Sequence, residues 1–339
     1  MAIVGVGHAI VDLFVEAEED FLVTLGIEPG TMVLADTETT REVLDHLSVI
    51  KAISGGSAAN TMVGISSLGA EASFIGTVGD DAFGEMYVAD LAAAGVDFAT
   101  SQHGPMAGQT GHSVVVVTPG GQRTMLTHLG ASAAVASVID SGLEDSMAEI
   151  VYLEGYVLDS PGASAALTGL LTKRDPARRI AFSLSDRNVV ERRRAEIWEL
   201  LKHGGISILL CNESEACELT GAKTAKEAAE LLSGVVAEGA ITLGSKGALI
   251  FSAEAFELVP AFSSVVTDTT GAGDLFAAGY LVGILRGLQP YQRGLLGCIC
   301  AAEVISHFGA RPEVTLAELV KVNGLSGELS RLQERGRFE

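Results

Sequence analysis

Between residues 149 and 253, short apolar and β-branched runs recur at regular intervals. "EIVYLEGYV", "RRIAFSL", "GISILLC", "GAITLG" and "GALIFSA" are each bounded by glycine or charge, and each predicts a strand. The intervening stretches "SPGASAALTGLLTKR", "ERRRAEIWELLKHG" and "TAKEAAELLSGVVAEG" have helical spacing. This alternation predicts a parallel sheet covered by helices, because parallel neighbours need a long crossover between them. The first third differs. "DLFVEA", "TMVLAD" and "GHSVVVVTPGGQRTMLTHLG" predict strands without helices between them, and "TPGG" (118–121) marks a hairpin turn. A small sheet discontinuous in sequence is therefore expected beside the main layer. "GSAANTMVGISSLG" and "FGEMYVADLAAAG" read as helices that return to that layer.

Composition narrows the function classes. The 339 residues suffice for one large α/β domain or two smaller ones. A formal net charge of −21 disfavours nucleic acid as a partner, and no basic stripe offsets it. Arg192, Arg193 and Arg194, with Glu191 and Glu196 around them, read as a solvated helix face. The four cysteines, Cys211, Cys217, Cys298 and Cys300, form no CxxC pair and no zinc spacing, so free buried thiols are expected. The opening "MAIVGVGHAIVDLFVEA" lacks a basic segment and a cleavage signal, and reads as a strand and turn. The longest apolar run, Leu275 to Leu285, falls short of the roughly 18 residues a membrane span needs. A soluble, cytoplasmic protein without a membrane partner is the expectation.

Several glycine-rich turns carry candidate chemistry. "GVGHAIVD" (5–12) fails the dinucleotide fingerprint, since Ile10 stands where the third glycine belongs. No phosphate-loop motif is present, because "GSKGA" has its lysine in the wrong frame. In "SGGSAANT" (54–61), paired glycines precede a helix that Ser57 can cap, with Asn60 in its first turn. In "GTVGDDAFGE", Asp80 or Asp81 reads as an N-cap. In "CNESEACELTG", Asn212 and Glu215 read equally as a capping box or as a pair that orders Mg²⁺-bound waters. "TDTTGAGD" is more specific: Gly271 and Gly273 flank Ala272 before a buried helix, and Asp274 lies in its first turn. Free amides there favour an anion, and a carboxylate beside a bound phosphate suits phosphoryl transfer.

Taken together, "DTTGAGD", "GGSAAN", "GTVGDDAFGE", "NESE" and "ITLGSKGA" resemble the ribokinase-like (PfkB) family of sugar and nucleoside kinases, nearest to its adenosine-kinase-like branch. The motifs occur in the family's order from about Gly5 to Gly309. The resemblance implies an α/β fold, a Rossmann-like three-layer α/β/α sandwich with a small β-sheet lid. It implies one kinase domain over 1–339, with the lid formed by about 12–40 and 101–131. It assigns Asp274 as the base and the amides of Gly271, Ala272 and Gly273 as the anion hole. Asp12, Gly56 and Asn60 match positions that bind acceptor hydroxyls. Glu154 resembles a glutamate that sugar kinases use near the acceptor, and Arg123 stands where the family has an arginine near the phosphates. Asn212, Glu215, Thr242, Gly244 and Gly247 match the nucleotide side. ATP and Mg²⁺ are the implied cofactors, and Asp268 with Thr270 the implied holders of K⁺. "SLSDRNVVERRRAEIWELL" and "QRTMLTHLGAS" resemble the adenosine-kinase-like branch.

The expected reaction is ATP-dependent phosphorylation of a nucleoside 5′-hydroxyl, adenosine above all. The alternatives are a sugar or sugar-acid kinase of the same family and an inactive ligand-binding sensor on the same fold. The expected assembly is a monomer or a lid-mediated homodimer.

Overall fold

The structure, a computed structural model, describes residues 2–24, 26–29, 31–99, 106, 108–119, 123–144, 146–173 and 175–322, and leaves out the side chain of residue 19. The turn expected at 118–121 lies partly outside these residues, as do parts of the expected lid segments and the end of one expected helix (residue 174). The strands are β1 (Ala2–Val6), β2 (Ile10–Glu16), β3 (Met32–Leu34), β4 (Lys51–Ser54), β5 (Glu71–Ile75), β6 (Val96–Phe98), β7 (Gly111–Val117), β8 (Arg123–His128), β9 (Ile150–Glu154), β10 (Arg179–Ser183), β11 (Ile208–Asn212), β12 (Glu238–Thr242), β13 (Ala248–Ser252) and β14 (Phe256–Val259).

Among the described residues they form two sheets. The larger has nine strands in the order β14-β13-β12-β11-β10-β9-β1-β5-β6. It is parallel from β6 to β12. The last two strands, β13 and β14, run antiparallel. Its central strands are continuously apolar because both faces are covered. Along β9, Ile150 and Tyr152 enter one hydrophobic cluster while Val151 and Leu153 enter the other. Helices Ser57–Ser67, Ala272–Leu285 and Pro290–Val304 cover the first face; Ala163–Lys173, Arg187–Lys202 and Ala225–Leu232 cover the second.

The smaller sheet has the order β3-β8-β7-β2-β4. It includes Lys51–Ser54, four residues with no alternation strong enough to mark them as a strand in sequence. Val114, Val116 and Leu126 pack its back face against helix Thr37–His46. On the opposite face Ser113, Met125 and Thr127 look into a cleft. That cleft lies at the carboxyl ends of the parallel strands, where open α/β sheets bind ligands.

Helix Ala272–Leu285 runs through the first cluster with every residue from Leu275 to Ile284 buried. Among the described residues no helix is long and apolar enough to cross a membrane. Leu281 has no exposed surface. Leu281→Ala is expected to cost about 2–5 kcal/mol, the range for emptying a packed leucine site, read as a lowered midpoint in chemical denaturation.

Candidate active site

The buried helix begins at Gly271, its N-cap, with φ +79°. A Cβ there would lie 2.7 Å from the Cα of Ala310, so the turn admits only glycine. Gly273 is different: a Cβ added to it would meet nothing within 4 Å, which leaves open space above the helix start. No side chain caps this terminus. The amide of Ala272 donates to the Thr269 carbonyl at 3.2 Å, so of the three expected anion-hole amides this one already has a protein acceptor.

Asp274 does not cap its own helix. The Ser57 hydroxyl donates to its Oδ1 (2.6 Å) and the Asn60 side-chain amide to its Oδ2 (3.2 Å). This corrects the expected role of Ser57: the N-cap of its helix is Gly56, and Ser57 reaches across to the carboxylate instead. Burial pushes the Asp274 pKa up to about 6, against the pull of the Ser57 and Asn60 hydrogen bonds. Arg311 Nε donates to Asn60 Oδ1 at 3.4 Å, which turns the Asn60 amide so that its nitrogen faces Asp274. Arg311 was not found from the sequence, because it belongs to no motif.

The cleft encloses about 500 Å³. It brings together Asp12, Gly56, Glu154 and the Thr270–Asp274 turn with Asn212, Glu215, Thr242 and Gly244. Asp12 is pushed up to about 7 by burial, opposed by the charges of Arg311 and Arg123 and reinforced by that of Asp274. Glu215 forms the capping box with Asn212: its Oε2 accepts from the Asn212 amide (3.0 Å) while Asn212 Oδ1 accepts from the Glu215 amide (2.9 Å). Burial raises Glu215 to about 7. Both carboxylate oxygens of Glu154 accept backbone amides, so its position differs from that of a free hydroxyl ligand.

Four expected residues do not line the cleft. Asn60 acts from behind Asp274. Gly247 is a turn glycine with φ +96°, packed on the Val259 carbonyl. Arg123 and Asp268 pair with each other at 2.7 Å. Asp268 also accepts from the amide and hydroxyl of Thr270 and from the amide of Gly309. The Arg123 guanidinium lies between the rings of Phe14 (5.6 Å) and Phe308 (5.7 Å) and also donates to the Thr270 hydroxyl.

The cleft contains residues that the motifs did not flag. His8 is buried, and burial lowers it to about 4, so the imidazole is neutral; its Nε2 lies 2.7 Å from the Ser160 hydroxyl. Asp159 also lines the cleft, held by Arg192 (2.8 Å) and Arg193 (3.2 Å). The basic run is thus a clamp on a cleft carboxylate, not merely a solvated face. Ser185 has φ +65°, the only positive value at a non-glycine among the described residues. Its hydroxyl accepts the Gly155 amide at 2.8 Å. In the sequence, "GVGHAIVD" (5–12) is read against the dinucleotide fingerprint, a comparison that gives His8 no role.

The pattern of the pfkB family of carbohydrate kinases matches residues 21–316. The chain belongs to this family. A solved structure of a probable sugar kinase protein from Rhizobium etli CFN 42 is 33% identical, with a TM-score of 0.88 over 96% of this chain and 98% of that one. The structure of adenosine kinase from Sinorhizobium meliloti is 34% identical, with a TM-score of 0.87 over 95% of this chain and 99% of that one. Aminoimidazole riboside kinase of Salmonella typhimurium is 31% identical over 264 residues, 76% of this chain and 79% of that protein. The fold is ribokinase-like α/β, and the protein is a phosphotransferase with a hydroxyl acceptor. Membership of this PfkB kinase family implies use of ATP.

The two glycines of the turn should separate in a stability measurement. Gly271→Ala forces a side chain into the left-handed region and against Ala310, and is expected to lower stability by about 1–3 kcal/mol. Gly273→Ala should leave the thermal midpoint unchanged within error, since its Cβ enters open space.

Proposed function

We propose that this kinase transfers the γ-phosphoryl group of ATP to a primary hydroxyl of a ribosyl substrate, the 5′-hydroxyl of adenosine. The observation that carries this reading is the composition of the cleft. Asp12 and Asp274 stand at its floor, while Ile10, Met32, Leu34, Met125 and Leu129 supply an apolar wall. A free sugar offers such a wall little, whereas a ribonucleoside places hydroxyls on the carboxylates and a base on the apolar side. The similarity to an adenosine kinase and to a riboside kinase supports the same acceptor class.

In this mechanism Asp12, with Gly56 beside it, holds ribose hydroxyls. Asp274, ionised above about pH 6, accepts the proton of the attacking hydroxyl. The new bond joins that oxygen to the γ-phosphorus, the bond to the bridging oxygen breaks, and ADP leaves. The open amide end at Gly273 faces the developing negative charge. Thr242 and Gly244 lie on the nucleotide side.

Among the described residues no group of three or more His, Cys, Asp or Glu could hold a metal ion directly. Asn212 and Glu215 fit Mg²⁺ only through water, with the ion carried on the phosphates of ATP. Held there, Mg²⁺ would supply positive charge to offset the negative charge that develops on the phosphates during transfer. Asp268 and Thr270 do not fit a monovalent cation in this arrangement, because Asp268 already accepts four donors, one of them cationic Arg123. Arg123 instead joins the small sheet to the Thr270 turn. That sheet acts as a lid, and its closure keeps water from the phosphoryl group.

ADP release with adenosine, other nucleosides, ribose and fructose tests the acceptor class. Turnover of adenosine is expected, turnover of sugars alone moves the reading to a sugar kinase, and binding without turnover moves it to a sensor. Asp274→Asn should keep ligand affinity and lose roughly 10²–10⁴-fold in kcat. Near-normal turnover in that variant sinks the assignment of the base. Because Asp274 works as the anion, log kcat should fall with unit slope as the pH drops below about 6.

A further inference from the structure

We propose that Glu154 is a positioning residue for Asp274 and not a contact to the acceptor: it anchors the helix start that holds the carboxylate. The inference rests on the reading of Asp274 as the base. Helix Ser57–Ser67 begins at Gly56, and no side chain of its own segment caps it. Its first turn therefore needs an acceptor from elsewhere. Glu154, at the end of β9, supplies one from 96 residues away: its Oε2 accepts the Ala58 amide at 2.7 Å. Its Oε1 accepts the His8 amide at 2.8 Å. A carboxylate at a helix N-terminus is favoured by both the free amides and the helix dipole.

Three segments thereby meet on one side chain: the end of β9, the turn after β1, and the helix start. Glu154 is 1% exposed, which leaves it little surface to offer a ligand. Gly7 is shaped to it, because a Cβ at Gly7 would collide with Oε2. The helix turn that Glu154 holds carries Ser57 and Asn60, the two donors to Asp274. The Glu154 carboxyl is itself pushed up to about 8 by burial, partly offset by the His8 and Ala58 amides and raised further by the charge of Asp274. The Asp274 charge thus reaches Glu154 directly as well as through the helix.

Two variants and one substrate-free readout test this. Glu154→Gln keeps the shape but turns an NH₂ group toward one of the two amide donors, so one bond becomes a donor–donor contact. Gly7→Ala keeps the Glu154 carboxyl and displaces it, together with the Ala58 methyl 2.8 Å from the added carbon, which covers the case in which Glu154→Gln does not fold. In Gly7→Ala, which keeps the Glu154 carboxyl, the titration of Asp274, followed by NMR of ¹³C-labelled aspartate side chains without substrate, should rise by about one unit as the Ser57 and Asn60 bonds loosen; in Glu154→Gln the loss of a like charge opposes that rise, so that variant is read by kcat and KM. With ATP and adenosine as the probes, kcat should fall at least about tenfold while KM for adenosine stays within about twofold. The double variant Ser57→Ala/Glu154→Gln should lose less than the sum of its parts, because both act on one carboxylate. A raised KM for adenosine with the Asp274 titration unmoved overturns the proposal and makes Glu154 an acceptor ligand. The titration is read without turnover, so a fully active Asp274→Asn, which would end the kinase role of Asp274, leaves the link between Glu154 and Asp274 separately decided.

Discussion

A carboxylate buried where a helix begins has lost the water that stabilised its charge, and the protein must replace that water with fixed donors. Asp274 meets this requirement through Ser57 and Asn60, on a helix more than two hundred residues earlier in the chain. Much of the cleft follows from that need. Asn60 presents its nitrogen to the Asp274 carboxylate while Arg311 donates to its oxygen. The segment that carries Arg311 also brings Ala310 against Gly271, and so closes the turn in front of Asp274. The result is a carboxyl poised near 6, close enough to neutrality to take a proton and still ionised at neutral pH.

The small sheet is tied to the same turn by a second charge arrangement. Arg123 is cationic, mostly buried and stacked between Phe14 and Phe308, with Asp268 as its counter-ion. Phe14 belongs to the small sheet and Phe308 to the segment after the last covering helix, so one guanidinium joins three parts of the molecule. Ion pairs of this kind do little for stability when exposed. Here the pair is largely shielded, with side-chain exposures of 15% and 5%, and its geometry fixes where the sheet sits over the cleft.

Much of the fold could be read along the chain because two-sided burial leaves a plain signature. Strands such as Ile150–Glu154 and Ile208–Asn212 are apolar up to their last, polar residue, and the helices between them keep a 3.6-residue period. Lys51–Ser54 could not be read in that way, since an edge strand of four residues acquires its identity only from its neighbour β2. Asn212 and Glu215 show a limit of motif reading, because capping and water ordering ask for the same residues at the same spacing. The structure shows the capping box, and the second role then depends on what binds.

The sequence by itself determined the local matters: the strand–helix alternation, the turn at Gly271, and the presence of Asp274 at the first turn of a buried helix. These depend on neighbours within a few residues, where propensity and steric limits act directly. Tertiary structure alone decided how Asp274 is held, what Arg123 and Asp268 do for each other, and why Glu154 points at amides. Each of those pairings joins residues far apart in the chain. No local pattern encodes which distant donor will meet a buried charge, because that is settled only when the sheet and its covering helices pack together.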